Sequence, residues 1–135
     1  MSDYSPLIVE HFSNPRNIGE MESPDLTAFV GNPVCGDQIH LFVRMADDQI
    51  TECCFLAYGC AASLATASIL TESIRGQRIG EIEGIDEERV VEMVGGLSPT
   101  QRHCATVAAD LVKSLVHNYR TGETGGVPGE CKTCQ

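Results

Sequence analysis

The residues of this chain whose types could do chemistry together are Cys35, Asp37, Cys60, His103 and Cys104. Three soft thiols, one carboxylate and one imidazole form the donor set that an open transition-metal site needs. Cys35 and Asp37 stand two positions apart in Val30-Gly31-Asn32-Pro33-Val34-Cys35-Gly36-Asp37, where glycine and proline punctuate the backbone into a tight loop. Cys60 opens a predicted helix, where the positive end of the macrodipole favours its thiolate as ligand or nucleophile. Cys104 heads the apolar stripe of another helix, and His103 is rotated about 100° from it, toward the edge of that face. Any one of these cysteines alone reads as well as core or loop filling; the constellation is what points to a site. The His103–Cys104 pair reaches that site only if loops of the sheet come to meet the helix head.

The other cysteines sit differently. Cys53 and Cys54 are neighbours on a predicted strand, so they point to opposite faces and cannot share one site without distorting it. Cys53 lies on the same face as Phe55 and reads as core. Cys131-Lys-Thr-Cys134 is a CxxC pair in a glycine-rich tail, usable for metal or redox chemistry but only half a zinc site. An odd cysteine count with two adjacent does not read as an extracellular disulfide framework.

The elements that must position these groups can be read in order. Ser5-Pro6 begins a short helix, with Ser5 as cap and Pro6 in the first helical position, and Asn14-Pro15 ends it. Strands are predicted over 25–30, 38–45 and 49–57, the second by its alternation of Ile39, Leu41, Val43 and Met45 with polar and aromatic neighbours. Asp47-Asp48 turns the chain, which gives a three-stranded antiparallel meander. A helix over 61–75, closed by Gly76, begins with small residues and is expected to lie tight against the sheet. An acidic region follows, holding a helix over 86–94 with Asp86 as cap. Ser98-Pro99-Thr100-Gln101 reads as a capping box. The long helix after it carries an apolar stripe at Cys104, Val107, Ala108, Leu111, Val112, Leu115, Val116 and Tyr119. The fold class is therefore α+β, a three-stranded antiparallel sheet packed against helices that include a long C-terminal one. One domain over 1–120 and a flexible tail over 121–135 complete the expected organisation.

Composition narrows the function. A chain of 135 residues with 42% hydrophobic and 21% charged content supports one globular core. Its net charge of −10 argues against nucleic-acid binding through phosphate neutralisation. No apolar run approaches the ~20 residues of a membrane span, and no signal-peptide pattern opens the sequence, so the expected location is cytoplasmic.

Three segments carry a specific resemblance: Gly31-x-Pro33-x-Cys35-Gly36-Asp37, Tyr58-Gly59-Cys60 followed by small residues, and Pro99-x-x-x-His103-Cys104. With His11-Phe12-x-Asn14-Pro15-Arg16-Asn17 ahead of them, they resemble the IscU/NifU-type scaffold proteins of iron–sulfur cluster assembly, in the same order. The interval from Cys60 to Cys104 resembles the IscU branch and lacks the SufU-type insertion. The resemblance implies that Cys35, Cys60 and Cys104 hold a transient [2Fe–2S] cluster, with Asp37 or His103 in the fourth position. It implies Cys104 as acceptor of persulfide sulfur from a cysteine desulfurase. It further implies a ferredoxin as electron source, a frataxin-like protein as partner, and apo iron–sulfur proteins as acceptors. On this reading the protein is an assembly scaffold and not a turnover enzyme, a monomer or a homodimer, loaded with Fe²⁺.

Zn²⁺ suits the same N/S/O donors, and a zinc-dependent sulfurtransferase is the alternative function. A thiol enzyme with Cys104 as nucleophile is disfavoured, because adjacent His103 and Cys104 are not expected to pair and no oxyanion loop is evident. A closed one-metal folding site is disfavoured because such a sheet and helix should fold without metal. The chain also departs from the family. Leu97-Ser98-Pro99-Thr100-Gln101 stands where the family reads Leu-Pro-Pro-Val-Lys, the segment recognised by an Hsp70-type chaperone. Gln101 in place of lysine argues against delivery through that chaperone.

Overall fold

The computed structural model describes residues 5–32, 37–59 and 61–121, excepting the side chains of Asn32, Asp37, Ala61 and Thr100. Helix α1 is Pro6–Ser13, and Ser5 caps it by accepting the Ile8 N–H on its hydroxyl, as predicted. Strands β1 (Leu26–Asn32), β2 (Asp37–Ala46) and β3 (Gln49–Tyr58) form one antiparallel sheet in the order β1-β2-β3. The predicted meander is thus present, and at the end where Asn32 pairs with Asp37 and Gln38 with Tyr58 each strand reaches one or two residues further than alternation alone indicates. At the β2–β3 turn Asp47 takes φ +57°, a left-handed conformation that a short polar side chain tolerates.

Pairing register assigns the two faces of the sheet. Val43 opposes Leu26 and Cys53, and Leu41 opposes Ala28 and Phe55, so these residues share the face that packs on the helices. The opposite face carries a ring cluster, with His40 centred 5.7 Å from Phe29 and 4.3 Å from Phe42. Along the free edge of β3, Asn17 accepts the Phe55 N–H and Gly19 donates to the Phe55 carbonyl, both at 2.8 Å.

Helix α2 (Ala61–Ile74) is the central element. It packs on β3, on α1 and on the later helices, and residues 62–71 are buried except for half-buried Leu64. Small side chains make this possible, since a helix enclosed on all sides must be thin and apolar around its circumference. Gly76, at φ +86°, takes the chain out of the helix as expected.

Helix α3 (Ile79–Ile82) was not anticipated. It is a single turn that buries Ile79 and Ile82, with the Glu81 carboxylate accepting the Arg78 N–H. Helix α4 (Glu87–Met93) matches the acidic-region helix, and Asp86 caps it by accepting the Arg89 N–H.

The capping box at Ser98 is corrected. Pro99–Gln101 forms a 3₁₀ turn in which the Gln101 N–H reaches the Ser98 carbonyl, and Ser98 makes no side-chain cap bond. Helix α5 (Arg102–Thr121) follows and lays its apolar face on β1. Its stripe holds except at the end. Tyr119 is 36% exposed, whereas Asn118 is buried and donates its amide to the Thr27 carbonyl of β1 at 2.8 Å. Among the described residues no helix is long and apolar enough to cross a membrane.

Candidate functional site

The sheet register determines which parts of the chain meet. Asn32 pairs with Asp37, and Gln38 pairs with Tyr58. The end of β1, the start of β2 and the end of β3 therefore share one end of the sheet. Helix α2 begins just beyond Tyr58, at Ala61, and so starts at that same end. The head of α5 comes to it there: Cys104 Sγ lies 3.4 Å from the hydroxyl of Ser63 in the first turn of α2. The sequence required the loops of the sheet to meet this helix head; residues 33–36 and 60, on which that expectation falls, lie outside the described residues.

Cys104 is 1% exposed, at the head of the buried face of α5 where the stripe puts it. His103 is half-buried beside it, and its Nε2 lies 3.6 Å from Cys104 Sγ. This corrects the expectation that the two adjacent residues do not pair. Their Cα–Cβ bonds diverge by a helical step, but the imidazole is long enough to swing its far nitrogen back over the neighbouring sulfur. Ser63 was not foreseen as a partner of the thiol. The only signal for it in the sequence is a hydroxyl among the alanines opening α2.

Cys35 and Cys60 lie outside the described residues, as do Cys131, Cys134 and the tail that holds them. The backbone of Asp37 opens β2, while its side chain is outside the description. Among the described residues no group of three His, Cys, Asp or Glu is gathered closely enough to hold a metal ion. Of the candidate site residues, only His103 and Cys104 are described with their side chains, and Ser63 lies against the Cys104 thiol.

The segment containing His11, Asn14, Pro15, Arg16 and Asn17 has a structural task. Ser68 Oγ, on α2, accepts the Arg16 N–H at 2.9 Å and lies 2.7 Å from His11 Nδ1. The Asn17 amide donates to Thr71 Oγ1, also on α2, at 3.1 Å. Burial, then the nearby Arg16 charge, hold His11 below the ordinary histidine pKa, so the neutral ring is favoured. The neutral ring can accept the Ser68 hydroxyl on Nδ1 and keep its proton on Nε2, which faces the Glu72 carboxylate at 3.5 Å. The segment ties α1 and the edge of β3 to the central helix.

Cys53 and Cys54 sit on opposite faces of β3, as predicted. Cys53 Sγ donates to the Thr71 carbonyl at 3.1 Å, and burial pushes its thiol up to about 12. Cys54 is half-buried, and burial raises it too.

This arrangement of sheet and helices is a known α+β fold. A nitrogen-fixing NifU-like protein (N-terminal) from Brucella abortus superposes with a TM-score of 0.72 over 88% of this chain and 95% of that one, at 19% identity. Sequence then fixes the family. The NifU-like N terminal domain description matches residues 3–124, and the chain belongs to that family. It is 40% identical over 116 residues to the iron-sulfur cluster assembly scaffold protein IscU 1 of Archaeoglobus fulgidus, covering 86% of this chain and 76% of the relative. It is 36% identical over 121 residues to the iron-sulfur cluster assembly scaffold protein IscU of Buchnera aphidicola, covering 87% and 94%.

Proposed function

We propose that the protein is a scaffold on which a [2Fe–2S] cluster is built and from which it passes to acceptor apoproteins. The observation that carries this reading is the buried Cys104 thiol, 3.4 Å from the Ser63 hydroxyl and 3.6 Å from His103 Nε2. Family membership and the names of curated relatives support it. In this reading Cys35, Cys60 and Cys104 hold three corners of the cargo, and Asp37 or His103 takes the fourth. A permanent cluster normally has four thiolates. A harder ligand at one corner weakens the grip of the site, because iron–sulfur cores favour soft donors, and release is what a scaffold must achieve.

Fe²⁺ is the first cargo. Cys104 accepts sulfur as persulfide from a cysteine desulfurase, a ferredoxin supplies electrons, and a frataxin-like protein is a further partner. Zn²⁺ competes for the same donors. The unit that does this spans residues 1–120, acts as an assembly scaffold and not as a turnover enzyme, and works as a monomer or homodimer in the cytoplasm.

Anaerobic reconstitution with iron and sulfide, followed by visible spectroscopy of wild type and Asp37→Ala, tests the reading. A coloured species with ~2 Fe and ~2 S per chain, released more slowly from the variant, is expected. A colourless protein holding one zinc that excess iron does not displace would overturn it in favour of a zinc-dependent sulfurtransferase.

A further inference from the structure

We propose that Ser63 is a positioning residue for the cargo: once Cys104 Sγ is bonded to iron, the Ser63 hydroxyl donates a hydrogen bond to it and thereby sets the potential and the lifetime of the cluster. This rests on the reading of Cys104 as a cluster ligand and deepens it, by naming a control on release that is itself no ligand.

Ser63 Oγ lies 3.4 Å from Cys104 Sγ, close enough for a bond to sulfur. Both residues are 1% exposed, so bulk water has little access to either. The hydroxyl rides on the first turn of α2 and the sulfur on the first turn of α5, two helices that pack together. A donor carried on rigid elements keeps its aim as the site fills. Other hydroxyls of α2 bond within their own helix: Ser73 donates to the Ile69 carbonyl at 3.0 Å and Thr71 to the Ser68 carbonyl at 2.8 Å. Ser63 is placed against a sulfur of a different helix, forty-one residues further along the chain.

Loading fixes the direction of this bond. In the empty site either atom can be the donor. A cysteine binds metal as the thiolate, without its proton, so the hydrogen between Ser63 and the loaded sulfur can come only from Oγ. The hydroxyl has only to turn about its C–O bond, because a serine hydroxyl both donates and accepts. His103 Nε2, 3.6 Å from the same sulfur, stands differently. It is a candidate for the fourth corner, and a ring nitrogen bonded to iron has no proton to give. Ser63 carries no such conflict.

For the cargo the bond acts twice. Donation to the sulfur draws negative charge off it, which favours the reduced cluster and raises its potential. It also satisfies a buried, charged sulfur, and hydrogen-bond partners of metal ligands typically contribute about 10–100-fold to metal affinity.

The test reconstitutes the full chain anaerobically with iron and sulfide, as wild type, Ser63→Ala, Ser63→Thr and Ser73→Ala. The visible thiolate-to-iron band, the reduction potential of the cluster and the rate of iron loss to a chelator are measured, with urea unfolding of each apo chain alongside. Ser63→Ala is expected to move the band to longer wavelength, lower the potential and lose iron roughly tenfold faster. Its unfolding midpoint should stay near that of wild type, because alanine already fills buried positions 62 and 65 of the same helix. Ser63→Thr, which keeps the hydroxyl, should follow wild type. So should Ser73→Ala, which removes a hydroxyl ~15 Å further along the helix. In D₂O, pulsed electron paramagnetic resonance of the reduced wild-type cluster should show a coupled exchangeable deuteron, partly lost in Ser63→Ala.

A Ser63→Ala cluster with the band and potential of wild type would overturn the inference and leave the scaffold reading intact. Equal displacement by Ser63→Thr or Ser73→Ala would do the same, since it traces the effect to packing of α2. A wild-type cluster with no coupled exchangeable deuteron would also overturn it, whatever the variants do. Failure of every chain, wild type included, to form a coloured cluster would overturn the scaffold reading and this inference with it.

Discussion

Cys53 and Cys104 are almost equally hidden, at 5% and 1% exposure, yet their surroundings give them opposite characters. Cys53 points from β3 into an apolar core, donates to the Thr71 carbonyl, and burial pushes its thiol up to about 12. Cys104 lies at the head of α5 between the Ser63 hydroxyl and the His103 imidazole, at the end of the sheet where the chain changes direction. A carbonyl can only accept, so it holds the thiol in its protonated form. A hydroxyl and a ring nitrogen can also donate, so they can support a thiolate or a metal-bound sulfur. The pair teaches that equal burial can hide unequal surroundings; the hydrogen-bonding capacity of the neighbours tells the two thiols apart.

That contrast can be broken at several points. Cys104→Ser should abolish persulfide capture and leave reconstituted protein with little bound iron and sulfide, measured by mass spectrometry and metal analysis. Cys53→Ala should retain both. Native-state alkylation is the next largest difference. Near pH 8 a thiol ionising near about 12 presents roughly a thousandfold less thiolate than an ordinary one. Cys53 should therefore be labelled mainly through unfolding, and labelling at the rate of a free thiol would break the comparison.

Stability comes third. Cys53→Ala removes a buried sulfur and its bond to Thr71, and should cost about 1–2 kcal/mol in urea unfolding. The Thr71 carbonyl still accepts the Arg75 N–H at 3.2 Å, which keeps the loss from being larger.

The smallest effect belongs to His11, a buried titratable group tied to structure. Its folded-state pKa lies below the ordinary value near 6.5, so the folded chain resists a proton that the unfolded chain accepts. Stability should be undiminished above about pH 6.5 and decline as pH falls below it toward the lowered value. His11→Asn should flatten this decline in pH-dependent unfolding. Some slope should remain, because burial also lowers His40.

The sheet and the central helix were legible because their signals are local. Alternation along β2 assigned its faces, adjacency assigned Cys53 and Cys54 to opposite sides, and the small residues of α2 foretold close approach. What failed depended on distant partners. Asn118 replaces Tyr119 at the end of the α5 stripe because its amide finds the Thr27 carbonyl, ninety-one residues away. Helix α3 is too short to show a period. The segment around His11 gave no hint of Ser68, since only folding brings them together. Sequence spacing put Cys104 at the head of the buried face of α5, where it lies, but did not show the approach of His103 Nε2 to within 3.6 Å of its sulfur, which is a matter of rotamer. Cys35, Cys60 and the side chain of Asp37 lie outside the described residues and stay at the level of the family resemblance.

The stitching of the His11–Asn17 segment to α2 also bears on how the chain is made. Its partners Ser68 and Thr71 lie more than fifty residues further on. At about 5–20 residues per second, the ribosome delivers them roughly 3–10 s after the segment itself. Helix α1 is synthesised first but has nothing to dock against until α2 has emerged. Its final placement should thus be a late event in folding, and the nascent chain must shelter its apolar side chains in the meantime.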